Sequence, residues 1–303
     1  MNIRSIQIQS HGHPALAEHT PPTSSPHDAQ VKMLASPINP VDLNIIDGRY
    51  AVQPPLPFVA GNEGVGIVES VGKNVTRVKV GDHVIFPYKT PDNWIGLWSE
   101  RVVVNETQLL TIPKSVPIEQ AAMATINPIT AWLMLHRFVE LNPGDWIIQN
   151  AANSGVGLWV NFIAGKLGLL CHNIRRQTEN EPIPPRPYRL GLNGVGGESG
   201  IRVAKALAPG SPLVTYGAMS KEPLTIGNAL LIYKDIRFVG FLRWRFSDRA
   251  ILDPIYVTLF KWMSEIAVPV EARYSIDQFQ DALAHAAKSG RAGKILLYFR
   301  DAA

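Results

Sequence analysis

Residues 149–168, QNAANSGVGLWVNFIAGKLG, pass from an apolar, strand-like approach through Gly155 and Gly157 into a helical pattern, and the architecture of the chain turns on what that passage is. A full dinucleotide fingerprint has three glycines. Here Ala or Asn stands where the first is expected, so the glycines alone are a weak signal. Context strengthens them: WIIQNA reads as a buried strand just before, SGVGLWVNFIAGKLG as a helix, and LLCHNIRR as a second strand ending about 20 residues on, where a ribose is read. In such a turn Gly155 lets backbone approach a pyrophosphate and Gly157 lets helix and sheet pack closely. The helix N-terminus offers free N–H groups to an anion. The competing reading is a tight strand-to-helix turn in an empty α/β domain.

Working outward, the first 110 or so residues are short strands punctuated by Gly, Pro, Asn and Asp: IRSIQIQ, QVKMLAS, EGVGIVESVG, DHVIFP and ERVVVNETQLLTIP. That pattern predicts a mostly antiparallel β domain. From Asp145 strands alternate with helices, and RLGLNGVG and PLVTYGA continue the series, which predicts a parallel sheet of βαβ units. Residues 115–139 read as a helical bridge, with Asn127 as an N-cap and Pro128 in the first turn. SIDQFQDALAHAAK opens with a capping-box pattern, Ser275 to Gln278, and GKILLYF closes the chain as a strand returning to the first domain.

The totals agree with two domains. A chain of 303 residues exceeds one usual core, and 46% apolar residues supply both. No run reaches the roughly 18 apolar residues of a membrane span, and MNIRSIQIQS carries neither a secretory nor a transit pattern, which leads to the expectation of a cytoplasmic protein. A net charge of +4, with scattered Lys and Arg, argues against a nucleic-acid partner. The single cysteine, Cys171, excludes an internal disulfide framework and multi-thiolate zinc sites, and reads as a buried apolar filler.

At the end of LLCHN stand Ile174, Arg175 and Arg176, with no carboxylate to take a free ribose 2′-hydroxyl. Arginine forks suit a 2′-phosphate, so NADPH is favoured over NADH; two exposed loop arginines are the alternative. Between Arg176 and Arg189 lie only QTENEPIPPRPY, where a Rossmann half needs helix, strand and helix. Either the sheet lacks at least one strand, exposing an apolar edge, or a stretch of the natural chain is absent from this sequence.

SPINPVDLNIIDGRY (36–50), PPLPFVAGNEGVGIVESVG (54–72), INPITAW (126–132), QNAANSGVG (149–157), LNGVGGESG (192–200), VTYGAMSKEP (214–223) and LLIYKDIRFVGF (230–241) together carry a resemblance over nearly the whole chain. It resembles the zinc-free medium-chain reductases, most closely the mitochondrial-type trans-2-enoyl-CoA reductases. The resemblance implies an α/β fold with a GroES-like catalytic domain over 1–115, a Rossmann-type parallel-sheet domain over 116–265, here shortened, and a return to the catalytic domain over 266–303. Zinc relatives carry Gly-His-Glu where this chain has Gly61-Asn62-Glu63, so no metal is expected.

The same resemblance places Tyr50 beside the substrate carbonyl as the catalytic proton donor; read without it, an aromatic in a Gly-Arg-Tyr turn is more often a packing lid. It assigns Asn127 to the cofactor, Asn153, Ser154, Gly155 and Val156 to the pyrophosphate turn, and Arg175 and Arg176 to the adenosine phosphate. Tyr216, Gly217, Ala218 and Met219 fall along the nicotinamide half, with Phe241, Leu242 and Lys294 as further contacts. Leu242 departs from a family Trp, and Trp244 is the residue able to compensate. The implied activity is NADPH-dependent reduction of trans-2-enoyl thioesters by a homodimer. A quinone or enone reductase, a non-catalytic NADPH-binding protein, and a chain that binds no cofactor are the alternatives.

Overall fold

A computed structural model describes residues 2–90 and 92–299. The chain divides into two compact units, Met1–Ile126 with Trp244–Ala303, and Asn127–Arg243. The first unit opens with β1 (Ile3–Ser10) and β2 (His13–His19), a hairpin turned at Gly12, followed by β3 (Asp28–Pro37) and α1 (Pro40–Ile46). Then come β4 (Phe58–Val59), β5 (Val65–Val71), β6 (His83–Ile85), β7 (Arg101–Asn105), β8 (Leu110–Thr111) and α2 (Ile118–Ala122). Alternation decides burial in these strands: Ile6 and Ile8 of β1 are fully buried while Gln7 and Gln9 between and beyond them are not.

The second unit runs α3 (Asn127–Arg137), β9 (Trp146–Gln149), α4 (Gly155–Lys166), β10 (Leu170–Asn173), β11 (Tyr188–Asn193), α5 (Gly197–Ala206), β12 (Pro212–Thr215), α6 (Asn228–Ile232) and β13 (Arg237–Gly240). Its five strands are parallel in the order β10-β9-β11-β12-β13. A dinucleotide-binding sheet has the order 3-2-1-4-5-6, so this sheet is that one without its strand 3, and β10 is left at the edge. Ile174 to Pro187, joining β10 to β11, holds only a 3-10 turn at Arg176–Thr178. Its proline run is strapped down by side chains: Tyr188 Oη donates to the Pro184 carbonyl (3.0 Å), Arg202 to the Glu181 carbonyl (2.5 Å), and the Arg186 guanidinium lies over the Trp146 ring.

The chain returns to the first unit at Trp244, earlier than the sequence division at 265, because Trp244 packs on Tyr50 and Trp94 and Arg249 donates to the Leu109 carbonyl. There α7 (Arg249–Trp262), β14 (Val270–Ser275), α8 (Phe279–Ala287) and β15 (Lys294–Tyr298) follow, and β15 pairs antiparallel with β3. The Ser275–Gln278 box forms as read, with Gln278 accepting from the Ser275 N–H at 3.0 Å. Cys171 is not an apolar filler. It is half-buried on β10 among the side-chain amides of Gln149 and Asn173, and burial pushes its thiol up to about 12.

Candidate functional site

The sequence-derived site residues divide between the units: Tyr50 and Lys294 lie in the first, all the others in the second. In the second, Ser154 caps α4, its hydroxyl accepting from the Gly157 N–H at 3.1 Å, so the helix starts where the fingerprint places it. The missing first glycine has a structural counterpart in Ala151, whose φ of +52° is the left-handed conformation a glycine takes without strain. Gly157 is obligatory on space alone, since a Cβ there would lie 2.5 Å from the Ala151 carbonyl oxygen. Asn153 is exposed beside the turn, and Val156 is half-buried in the first turn of the helix.

Asn127 opens α3 as its first helical residue, so it does not stand outside the helix as an N-cap. Its side chain is buried and its Nδ2 has no hydrogen-bond partner among the described residues. That amide faces Gly155, where an added Cβ would meet it at 3.0 Å. An unsatisfied buried donor carries a penalty of about 1–3 kcal/mol unless a ligand takes it up, and this one sits beside a glycine at a capped helix N-terminus. The Tyr216 side chain lies against Gly194 and beside Ser154, and burial pushes its phenol up to about 12. Gly217, Ala218 and Met219 continue that loop, with Met219 half exposed. Arg175 and Arg176 are exposed at the end of β10. Phe241 extends the sheet, its N–H donating to the Thr215 carbonyl, and its ring meets Phe138 edge-on; Leu242 beside it is half-buried. These residues fit a reduced dinucleotide: a donor awaiting an acceptor, close-approach glycines, a helix N-terminus and paired guanidinium groups.

In the first unit the order of residues 39–50 fixes Tyr50. Asn39 precedes α1, Pro40 occupies its first position, and the Asp42 carboxylate accepts from the Asn39 N–H at 2.7 Å. The helix ends at Asp47. Gly48, with φ +70°, turns the chain so that the N–H groups of Arg49 and Tyr50 both reach the Asn44 carbonyl. Tyr50 is half-buried, and burial raises its pKa. Trp244 meets it edge-on at 5.7 Å and meets Trp94 at 6.2 Å, so an indole does stand next to this tyrosine although position 242 is Leu.

Sequence reasoning missed the buried polar cluster behind α1. Asn62, in place of histidine, donates to Asp42 through its backbone and side chain. Glu63 accepts from Asn39 Nδ2 (2.8 Å) on one oxygen and from the Thr125 and Ile126 N–H groups on the other. Burial raises its pKa to about 7, opposed by the Lys294 ammonium. Lys294 itself donates to Asn39, so its ammonium is engaged inside this cluster. Lys89 donates to the Gly61 and Asn62 carbonyls, lies 4.8 Å from the Trp94 ring centroid, and is lowered by burial to about 7. Among the described residues no group of three or more His, Cys, Asp or Glu side chains is placed to hold a metal ion.

Residues 25–114 match the alcohol dehydrogenase GroES-like domain family. The chain is 40% identical over 280 residues to the mitochondrial enoyl-[acyl-carrier-protein] reductase of Rattus norvegicus, covering 79% of this chain and 72% of that protein. It is 35% identical over 335 residues to the enzyme of the same name from Dictyostelium discoideum, covering 97% of this chain and 94% of that one. Because 97% of 303 residues meets 335 aligned positions, roughly 40 positions have no counterpart here, enough for the elements missing after β10, since a βαβ unit takes about 30 residues. The fold is that of the Etr1p complex with NADP and crotonyl-CoA, with a TM-score of 0.84, 24% identity, and coverage of 98% of this chain and 100% of that chain. The cytoplasmic placement is corrected by the two relatives, both named mitochondrial, which point to mitochondria instead.

Proposed function

Since this chain belongs to the enoyl-[acyl-carrier-protein] reductase family, we propose that it reduces the carbon–carbon double bond of trans-2-enoyl thioesters with NADPH. The observation that carries the cofactor half is Asn127, a buried amide with an unclaimed N–H beside Gly155 at the N-terminus of α4. NADPH supplies the hydride that the β-carbon of the enoyl group receives. The Ser154-capped helix end and the glycine turn take the pyrophosphate, and Arg175 with Arg176 takes the 2′-phosphate, as charge and planar donor geometry favour.

Tyr50 carries the other half. A phenol whose pKa is raised by burial keeps its proton at neutral pH, so it donates a hydrogen bond to the thioester oxygen as negative charge gathers there. The α-carbon of the resulting enolate then takes a proton delivered by way of the Tyr50 hydroxyl, which solvent re-protonates, completing addition across the double bond. Trp244 meets the tyrosine ring edge-on and is itself met edge-on by Trp94, so one side of the ring is covered by an indole. The experiment is Tyr50→Phe assayed with crotonyl-CoA and NADPH. Loss of one such donor lowers kcat about 10²–10³-fold, with the NADPH dissociation constant unchanged. A variant as fast as wild type removes the role given to the hydroxyl, and a wild type that reduces quinones but no enoyl thioester removes the substrate class.

A further inference from the structure

We propose that Asn150 and Asn193 are positioning residues that lock the nicotinamide loop to the sheet, an inference that rests on the cofactor reading above. In this parallel sheet β9, β11 and β12 are neighbours, so their C-terminal ends lie side by side. Each apolar strand finishes on a polar residue at that end: Asn150 just after β9, Asn193 closing β11 and Thr215 closing β12. Both asparagines are fully buried.

The amides form one rung across the three strands. Asn150 Nδ2 donates to Asn193 Oδ1 (2.8 Å) and to Ser199 Oγ (3.0 Å), and Asn193 Nδ2 donates to Thr215 Oγ1 (3.2 Å). Their oxygens hold backbone: Asn150 Oδ1 accepts from the Gly194 N–H at 2.7 Å, and Asn193 Oδ1 from those of Val195 and Gly196. The fixed loop then grips the next one. The carbonyls of Asn193, Gly194 and Val195 accept from the N–H groups of Tyr216, Met219 and Ser220 in turn. No slack remains between them, since a Cβ on Gly194 would lie 2.7 Å from the Tyr216 hydroxyl and one on Gly217 would lie 2.8 Å from the Gly194 carbonyl oxygen.

Two apolar side chains would fill this space without desolvating two amides, so the polar pair is explained by the geometry it imposes. Asn150 also immediately precedes the left-handed Ala151 of the pyrophosphate turn. One rung therefore ties the turn proposed for the pyrophosphate to the loop proposed for the nicotinamide. An error of about 1 Å in the reacting geometry lowers turnover about 10²-fold while binding survives.

Two isosteric substitutions separate this role from mere packing. Asn150→Asp sets an acceptor against Asn193 Oδ1 and breaks the rung. Asn193→Asp keeps every acceptor that Asn150, Val195 and Gly196 need, and it can accept a hydrogen bond from the Thr215 hydroxyl in place of the one it donated. Both bury one carboxylate at the same place. Hydrogen exchange of residues 194–220 is followed with and without NADPH, alongside NADPH titration and steady-state kinetics with crotonyl-CoA. The expected result is NADPH-induced protection of 216–220 in wild type and in Asn193→Asp but not in Asn150→Asp. Asn150→Asp should bind NADPH within about 3-fold of wild type, with a kcat about 10–100-fold below that of Asn193→Asp. Should Asn150→Asp not fold, Thr215→Val removes only the far end of the rung and should show a partial loss of the same protection. Equal protection in wild type and in whichever variant folds, equal losses in the two aspartates, or no NADPH-dependent protection in wild type overturns the proposal. Wild type that is protected by NADPH yet inert towards crotonyl-CoA sinks the enoyl-reductase reading and leaves the exchange comparison to judge the rung.

Discussion

At the scale of single residues, the most unusual chemistry lies in the cluster that stands where zinc relatives keep their histidine. Glu63 has a pKa of about 7 against an ordinary 4.5, because burial disfavours its charge more than Lys294 and Asn39 favour it. The folded protein therefore holds a proton that the unfolded chain releases between those values. The stability this group contributes is full below pH 4.5 and is lost as pH rises through about 7. Lys89 works in the opposite sense: its pKa of about 7 lies below an ordinary 10.5, so its contribution is full above 10.5 and is lost as pH falls through about 7. Substituting Glu63→Gln removes the first dependence and, because the Glu63 charge helps hold the Lys89 and Lys294 ammonium groups protonated, lets both lysines fall further. From pH 4.5 to 7 the wild type should lose at most about 3 kcal/mol of stability relative to this variant, read from urea midpoints across that range. Parallel curves for the two proteins would show that Glu63 does not titrate in this window. None of this was legible in Gly61-Asn62-Glu63, because the triplet shows which residue replaced histidine but not that Asn39, Lys89 and Lys294 converge on it from distant parts of the chain. The role proposed for Tyr50 rests on the resemblance, whereas its placement follows from local sequence, Asn-Pro-Val-Asp opening α1 and Asp-Gly-Arg-Tyr ending it.

At the scale of elements, alternation and turn residues in the sequence anticipated α4 and most of the strands, since both signals are local, but not β2, β4 or β14. The shortfall after Arg176 was also legible, because twelve residues rich in proline have no room for helix, strand and helix. What local signals could not give is how the gap is closed. Arg202 donates to the strap and Trp146 lies against its Arg186, both from positions that only the folded sheet brings near it, while Tyr188 at its end bonds back to the Pro184 carbonyl. The polar strand ends Asn150 and Asn193 were equally hidden, because an asparagine after an apolar run reads as a turn until its neighbour across the sheet is known. Among the described residues the shortened sheet leaves β10 paired on one side only, with Leu170 43% exposed at its start. A free edge carrying an exposed leucine is a template for association. Leu170→Lys should therefore change folding stability by no more than about 0.5 kcal/mol while reducing light scattering of concentrated or warmed protein. If scattering is unchanged, the edge is already protected by its short length.

At the scale of the whole molecule, the other edge of the same sheet bears on assembly. β13 pairs with β12 on one side, and the preceding helix α6 and its end expose Leu231, Ile232 and Tyr233 together, the last two at 69% and 81%. Three large exposed apolar side chains in succession, a few residues before the strand at this sheet end, are apolar surface that a partner would cover. Two copies meeting edge to edge would satisfy the strand and cover the patch in one self-complementary contact, which closes after two chains and cannot grow into a fibre. The protein should accordingly sediment at twice 33.3 kDa. Replacing Ile232 and Tyr233 by Glu should shift it to the single-chain mass without lowering the thermal midpoint of the monomer, because neither side chain packs into the core of its own unit. A wild type that sediments as a monomer at tens of micromolar, or a double variant that remains dimeric, would show that this edge is not where copies meet.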